Sequence, residues 1–221
     1  MCKKKILSVV IAIACAASAF AFDPDELNKI TFTNSTGKAI QIIFLSPSDS
    51  SEWGPDIIGA DYELSNGKSI SYFVHYPDSS GTFDIVALDE EGNAFELYDY
   101  KLTDGKTATI TFTKKNLNTS AEELSYVTLY VENAIESEIH YLFISPADSE
   151  AWGVDLLDEE TVLAPGDVAS FIIPMGDSAV DYNVMGVDEE GNEYTFDITI
   201  DPKDGEELEV AIEPGDLDEG E

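Results

Sequence analysis

A thirteen-residue stretch that occurs twice constrains this chain more than any other feature. Ser46-Pro47-Ser48-Asp49-Ser50-Ser51-Glu52-Trp53-Gly54-Pro55-Asp56-Ile57-Ile58 returns 99 residues later as Ser145-Pro146-Ala147-Asp148-Ser149-Glu150-Ala151-Trp152-Gly153-Val154-Asp155-Leu156-Leu157. Each copy closes an apolar run, Ile42-Ile43-Phe44-Leu45 or Tyr141-Leu142-Phe143-Ile144. At the same spacing Asn34 falls on Asn133, Leu64 on Leu163 and Gly67 on Gly166. Asp89-Glu90-Glu91-Gly92-Asn93 is repeated letter for letter as Asp188-Glu189-Glu190-Gly191-Asn192. One residue inserted in the second copy then brings Asp104 onto Asp204. Two copies of this length are too long and too few for a solenoid, whose units run about 20–45 residues. They read as tandem domains from a duplication.

Within a repeat the hydrophobic period is two. Phe83, Ile85 and Ala87 share one face of a strand, and Phe95 and Leu97 do the same in the next. Tyr182, Val184, Tyr194 and Phe196 keep the alternation in the second repeat. The intervening Asp-Glu-Glu-Gly-Asn is read as a hairpin loop, Gly92 and Gly191 supplying a positive φ, since the EF-hand ligand spacing is absent. The four consecutive apolar residues before each Ser-Pro suit a central strand covered on both sides. We expect first-repeat strands at about 29–34, 38–46, 61–65, 68–76, 82–88, 94–101 and 106–113. No stretch shows sustained helical spacing. The expected fold class is therefore all-β, two tandem immunoglobulin-like β-sandwich domains after an N-terminal signal peptide. A transthyretin-like or C2-like topology gives the same pattern.

Lys3-Lys4-Lys5, the apolar run Ile6 to Ala19 and the small-x-small Ala19-Phe20-Ala21 define a secretory signal peptide over 1–21. The run is short for a membrane span, and no transmembrane segment is expected in the mature chain. The expected location is exported, periplasmic or extracellular, with a lipid anchor at Cys15 as the alternative. Repeat 1 occupies 22–113, a linker 114–125, repeat 2 residues 126–213, and an acidic disordered tail 214–221. Cys2 and Cys15 both fall in the leader, so the mature chain has no thiol chemistry and no disulfide.

Charge removes further classes. The chain has 11 basic residues, all lysine, against 45 acidic ones. Loss of the three leader lysines leaves a formal mature charge of −37. Nothing in such a field neutralises phosphate, so no nucleic acid partner is expected, and anionic membrane surfaces are disfavoured. The ordinary meaning of this charge is a solvated, self-repelling surface.

The order Asn34-Ser35-Thr36-Gly37, then Ser-Pro-x5-Trp-Gly-x-Asp-Ile/Leu-Ile/Leu, then Asp-Glu-Glu-Gly-Asn, resembles a module of secreted bacterial proteins that is functionally uncharacterised. The second repeat departs from it at Ala134-Ile135-Glu136. The resemblance implies a secreted β module and no activity.

Catalysis is not expected. The only histidines, His75 and His140, are not repeated, their counterparts being Pro174 and Gln41, and no triad or histidine zinc motif surrounds them. The expected function is a non-catalytic interaction or structural module at the cell surface, its partner an unknown protein or glycan. The alternative is a calcium-dependent binding module. Strand parity gathers Asp49, Asp56, Asp78 and Asp104 at the Trp-Gly end of one repeat, and Asp148, Asp155, Asp177 and Asp204 at that of the other. Aspartate is also the ordinary turn-capping residue. Calcium, the one candidate cofactor, requires three carboxylates of a set within about 5 Å of each other. Trp53 and Trp152 are expected to plug the open end of each sandwich rather than to stack on sugars.

Overall fold

The structure is a computed structural model, and it describes residues 27–60, 62–76, 81–103, 107–118, 125–149, 151–158, 161–202 and 207–218. The leader, with Cys2 and Cys15, lies outside the described residues. In the first half the strands are β1 (Asn28–Ser35), β2 (Ile40–Pro47), β3 (Ser69–His75), β4 (Thr82–Asp89), β5 (Ala94–Lys101), β6 (Ala108–Thr113) and β7 (Leu117–Asn118). In the second they are β8 (Ser125–Asn133), β9 (Ile139–Pro146), β10 (Gly153–Val154), β11 (Val168–Met175), β12 (Val180–Asp188), β13 (Glu193–Ile200) and β14 (Glu207–Ile212). The chain is all-β, with several sheets consistent with a β-sandwich. No helix among the described residues is long and apolar enough to cross a membrane.

The wiring repeats. β1 lies between antiparallel β3 and parallel β6, while β4 lies between β2 and β5, both antiparallel. The second repeat does the same, with β8 between β11 and β14 and β12 between β9 and β13. Inward alternation places Ile30, Phe32, Phe83, Ile85 and Ala87 in one core. Thr31 and Thr33 face outward, their hydroxyls bonded to Ser71 and Ser69 at 2.9 and 2.8 Å.

The expected strand at 61–65 reduces to a bridge, Leu64 exchanging bonds of 3.0 and 2.8 Å with Ile40. A buried side chain sets the path there. Asn34 Nδ2 donates to the Lys38 and Leu64 carbonyls, both at 2.7 Å, and Asn133 reaches Ser137 and Leu163 in the same way. In the Asp-Glu-Glu-Gly-Asn hairpins the aspartate caps the loop. Asp89 Oδ1 accepts from the backbone N–H of Glu91 and Asn93, each at 2.9 Å, and Asp188 repeats this with Glu190 and Asn192. The Asn93 and Asn192 side-chain amides, together with these backbone bonds, outweigh desolvation and hold both carboxyls below the ordinary carboxylate range.

Three sequence expectations are corrected here. The linker at 114–125 is ordered over its first five residues, a 3-10 turn at Lys114–Asn116 followed by β7 on β5. The tail at 214–221 begins with the equivalent turn, Pro214–Asp216, and Leu217 then bridges Tyr194. Leu117 and Leu217 thus end their repeats alike, each fastening a strand that would otherwise be an open edge. The consecutive apolar run does not mark a central strand either. β2 and β9 lie at sheet edges, yet both faces are covered. Ile43 and Leu45 enter the main core, while Phe44 turns outward onto Val86, Leu88 and Trp53.

Candidate interface at the Trp-Gly loops

The two loops first close on themselves. Ser46 Oγ donates to the Glu52 carbonyl and Ser145 Oγ to the Ala151 carbonyl, each at 2.6 Å. Ser50 and Ser149 hydroxyls accept the N–H of Glu52 and Ala151 at 2.9 and 3.1 Å. The glycine after each tryptophan has its own reason. A Cβ on Gly54 would sit 2.9 Å from the Leu45 carbonyl oxygen, whereas Gly153 needs its φ of +77°.

Beyond the glycine each loop does two things at once. Its aspartate carboxyl turns back to its own edge strand. Asp56 Oδ1 accepts from Ile43 N–H at 2.9 Å and Ile58 N–H at 3.2 Å, and Asp155 Oδ1 from Leu142 and Leu157 at 2.9 and 3.1 Å. The same residue's backbone N–H reaches the other repeat. Asp56 donates to the Ile172 carbonyl at 2.7 Å and Asp155 to the Phe73 carbonyl at 3.0 Å. Phe73 and Ile172 are themselves 99 residues apart, so the exchange is reciprocal. In the second loop it extends to β10, where Gly153 and Val154 pair antiparallel with His75 and Val74.

Side chains continue the reciprocity. Ser50 Oγ donates to Asp148 Oδ1 at 2.6 Å, and Ser51 contributes its N–H and hydroxyl to Oδ2; in the other direction Ser149 Oγ donates to Asp49 Oδ1 at 3.1 Å. Phe44 is covered by Tyr126, at a ring separation of 6.3 Å, and by Ile172. Phe143 is covered by Leu27 and by His75, 6.3 Å away. Each repeat therefore roofs the outer face of the other's apolar edge strand. The main core is continuous across both repeats, and the void where Leu45, Pro55, Ile144, Trp152 and Val154 meet is only about 10 Å³. That is at the lower limit for a single water.

The electrostatics are unusual because the joint contains two buried acids. Asp56 is 0% exposed and Asp155 1%. Desolvation drives the Asp56 carboxyl up to about 7 against the two backbone hydrogen bonds, and drives Asp155 well above its ordinary value. Asp56 Oδ2 is buried without a hydrogen-bond partner. Asp148 goes the other way, the Ser50 and Ser51 donors outweighing desolvation and lowering it.

The expected calcium sets are redistributed accordingly. Asp49 and Asp148 point across to the other repeat's serines, Asp56 and Asp155 cap backbone amides in the interior, and Asp177 is exposed. Asp78, Asp104 and Asp204 lie outside the described residues. Among the described residues no three His, Cys, Asp or Glu side chains stand together as metal ligands. In both loops one carboxyl oxygen, Oδ1, caps two backbone N–H groups that would otherwise be unpaired. The expected plug is corrected too. Trp53 and Trp152 are half-buried on the outer faces of the sheets, against Phe44 and Phe143, not at the ends of the core. His75 lies against Phe143, and His140 Nε2 is 3.6 Å from a Glu138 carboxylate oxygen.

Sequence reasoning missed this interface. Its signal was present in the four consecutive apolar residues of an edge strand, which need a second cover. Comparison with family models, with curated proteins and with solved structures yields no match for this chain.

Proposed function

We propose that this chain is an exported, non-catalytic β-sandwich protein that works as an interaction or structural module, its repeats immunoglobulin-like and folded against each other. The observation that carries the reading is the reciprocal exchange at Asp56 and Asp155, whose N–H groups bond to Ile172 and Phe73. The Trp-Gly stretch that recurs in both repeats goes into joining them. They build a rigid two-lobed body under an acidic surface, the design of a scaffold that presents a face to a partner. The strand wiring supports the immunoglobulin-like assignment. β1 with β3, β2 with β4, and β4 with β5 reproduce the antiparallel pairs of that fold's B–E, C–F and F–G strands, and β6 is added parallel to β1.

Export rests on the Lys3–Lys5 and Ile6–Ala19 pattern. Fractionation of the native host followed by N-terminal sequencing tests it. A start at Phe22 in the periplasm or medium is expected, and an intact Met1 in the cytoplasm would overturn the reading.

A further inference from the structure

A cleft of about 150 Å³ opens beside the second Trp-Gly loop, lined by Ser145, Ser149, Ala151, Trp152 and Asn183. It is built where the repeats differ. Glu52 and Asp84 of the first repeat are replaced by Ala151 and Asn183, while Ser51 is replaced by Glu150, so these three positions carry one acid fewer in the second repeat. Asp84 is occupied, accepting Ser48 Oγ at 2.7 Å and Asp99 N–H at 2.8 Å. Asn183 has Ala147 where Asp84 has Ser48. Its amide makes no side-chain hydrogen bond among the described residues, and neither does the Trp152 indole N–H.

From this geometry we propose that the Trp152 cleft binds one neutral six-membered sugar ring, the terminal unit of a glycan. The proposal deepens the interaction-module reading and rests on it. The volume matches that of an engineered cavity that admits a single benzene ring. An indole gives an apolar surface for the C–H face of a sugar, with its N–H as a polar handle. Asn183 offers a donor and an acceptor side by side, the pairing that two neighbouring hydroxyls require. Ser149 Oγ donates to Asp49 and accepts from Ala151 N–H, so it holds the wall rather than the ligand. Among the described residues, none that lines the cleft carries a formal charge. An anion is opposed by the whole field, and a cation would be better served by the Glu52 and Asp84 of the other loop.

The test uses the mature full-length protein, titrated separately with glucose, galactose and N-acetylglucosamine while the Trp152 indole N–H is followed by proton–nitrogen NMR. A saturable shift with at least one sugar is expected, with Kd in the millimolar range. Asn183→Asp and Ala151→Glu install the first repeat's own residues and should keep the melting temperature. Each should weaken binding by about tenfold or more, the loss of one well-made polar contact or of the space itself. An unmoved Trp152 signal with all three sugars, or equal binding by both variants, overturns the proposal. So does putrescine binding in place of sugar. The sugar's own spectrum separates the two readings: unchanged, unbound sugar removes the cleft assignment alone, whereas chemically converted sugar removes the non-catalytic reading.

Discussion

Replacing Asp56 separates two contributions that its burial combines. Asp56→Ala deletes the acceptor of two buried N–H groups, those of Ile43 and Ile58. Each orphaned donor costs about 1–3 kcal/mol, so the loss is about 2–6 kcal/mol when the carboxyl is neutral. Above its unfolded pKa a second effect opposes this, and it is complete once the pH passes the folded value. Raising the carboxyl from 3.8 to about 7 means that folding an ionised Asp56 costs about 4 kcal/mol at 1.36 kcal/mol per pH unit. The folded value lies above the unfolded one, so the stability is fully present below about pH 4 and is lost as pH rises through 7. At pH 4 Asp56→Ala should therefore show nearly its whole loss, and at pH 8 much less. Asp56→Asn keeps an oxygen for both N–H groups and cannot ionise. Like the protonated acid, it leaves one buried donor unpaired where Oδ2 now lies. It should be within about 1 kcal/mol of wild type at pH 4 and more stable by several kcal/mol at pH 8. Urea unfolding at pH 4, 5, 6, 7 and 8, at fixed ionic strength, gives the differences directly. Because every other titrating group is common to both proteins, the pH dependence of the difference belongs to Asp56. A constant difference for Asp56→Asn across that range would refute the buried, proton-linked carboxyl.

Other perturbations have equally definite outcomes. Asn133→Asp removes the donors to Ser137 and Leu163 and buries a charge; it should cost about 3 kcal/mol or more by urea unfolding, far beyond the effect of Asn192→Asp in the exposed hairpin. Gly186→Ala places a Cβ 2.8 Å from Ile212 Cδ1 and should cost about 1–3 kcal/mol as overpacking, whereas Ala87→Gly at the matching first-repeat position opens space and should cost less. Asp148→Ala removes exposed contacts to Ser50 and Ser51 and should change stability by no more than about 1 kcal/mol, read as a melting shift of a few degrees at most.

Much of the fold was legible because alternation of side chains reports directly on which face is buried. Phe83, Ile85 and Ala87 could be assigned inward from spacing alone, and the six main strands of the first repeat fall within two residues of their expected bounds. That the strand expected at 61–65 shrinks to one bridge at Leu64 escaped because the Asn34 side chain sets the path there, and no propensity registers that. The ordered ends at Leu117 and Leu217 escaped because short, polar segments without periodicity look like linkers until another strand offers them a ladder. The joint between repeats was hidden for a different reason. A loop aspartate that caps a turn, ligates a cation or caps an edge strand is the same letter, and only the distance to Ile43 N–H distinguishes them. The cleft at Trp152 is visible only by subtraction, through the acids that the second repeat lacks.

The central claim is that the repeats are locked together by reciprocal backbone bonds at the Trp-Gly loops. Native-state hydrogen exchange of the Asp56 and Asp155 amides tests it most directly, since each donates across the joint, to Ile172 and Phe73. The account predicts that both exchange as slowly as core amides of β1 and β8, through global opening. Exchange of both at the rate of exposed loop amides, with the strands of each repeat still protected, would show two independent domains and contradict it.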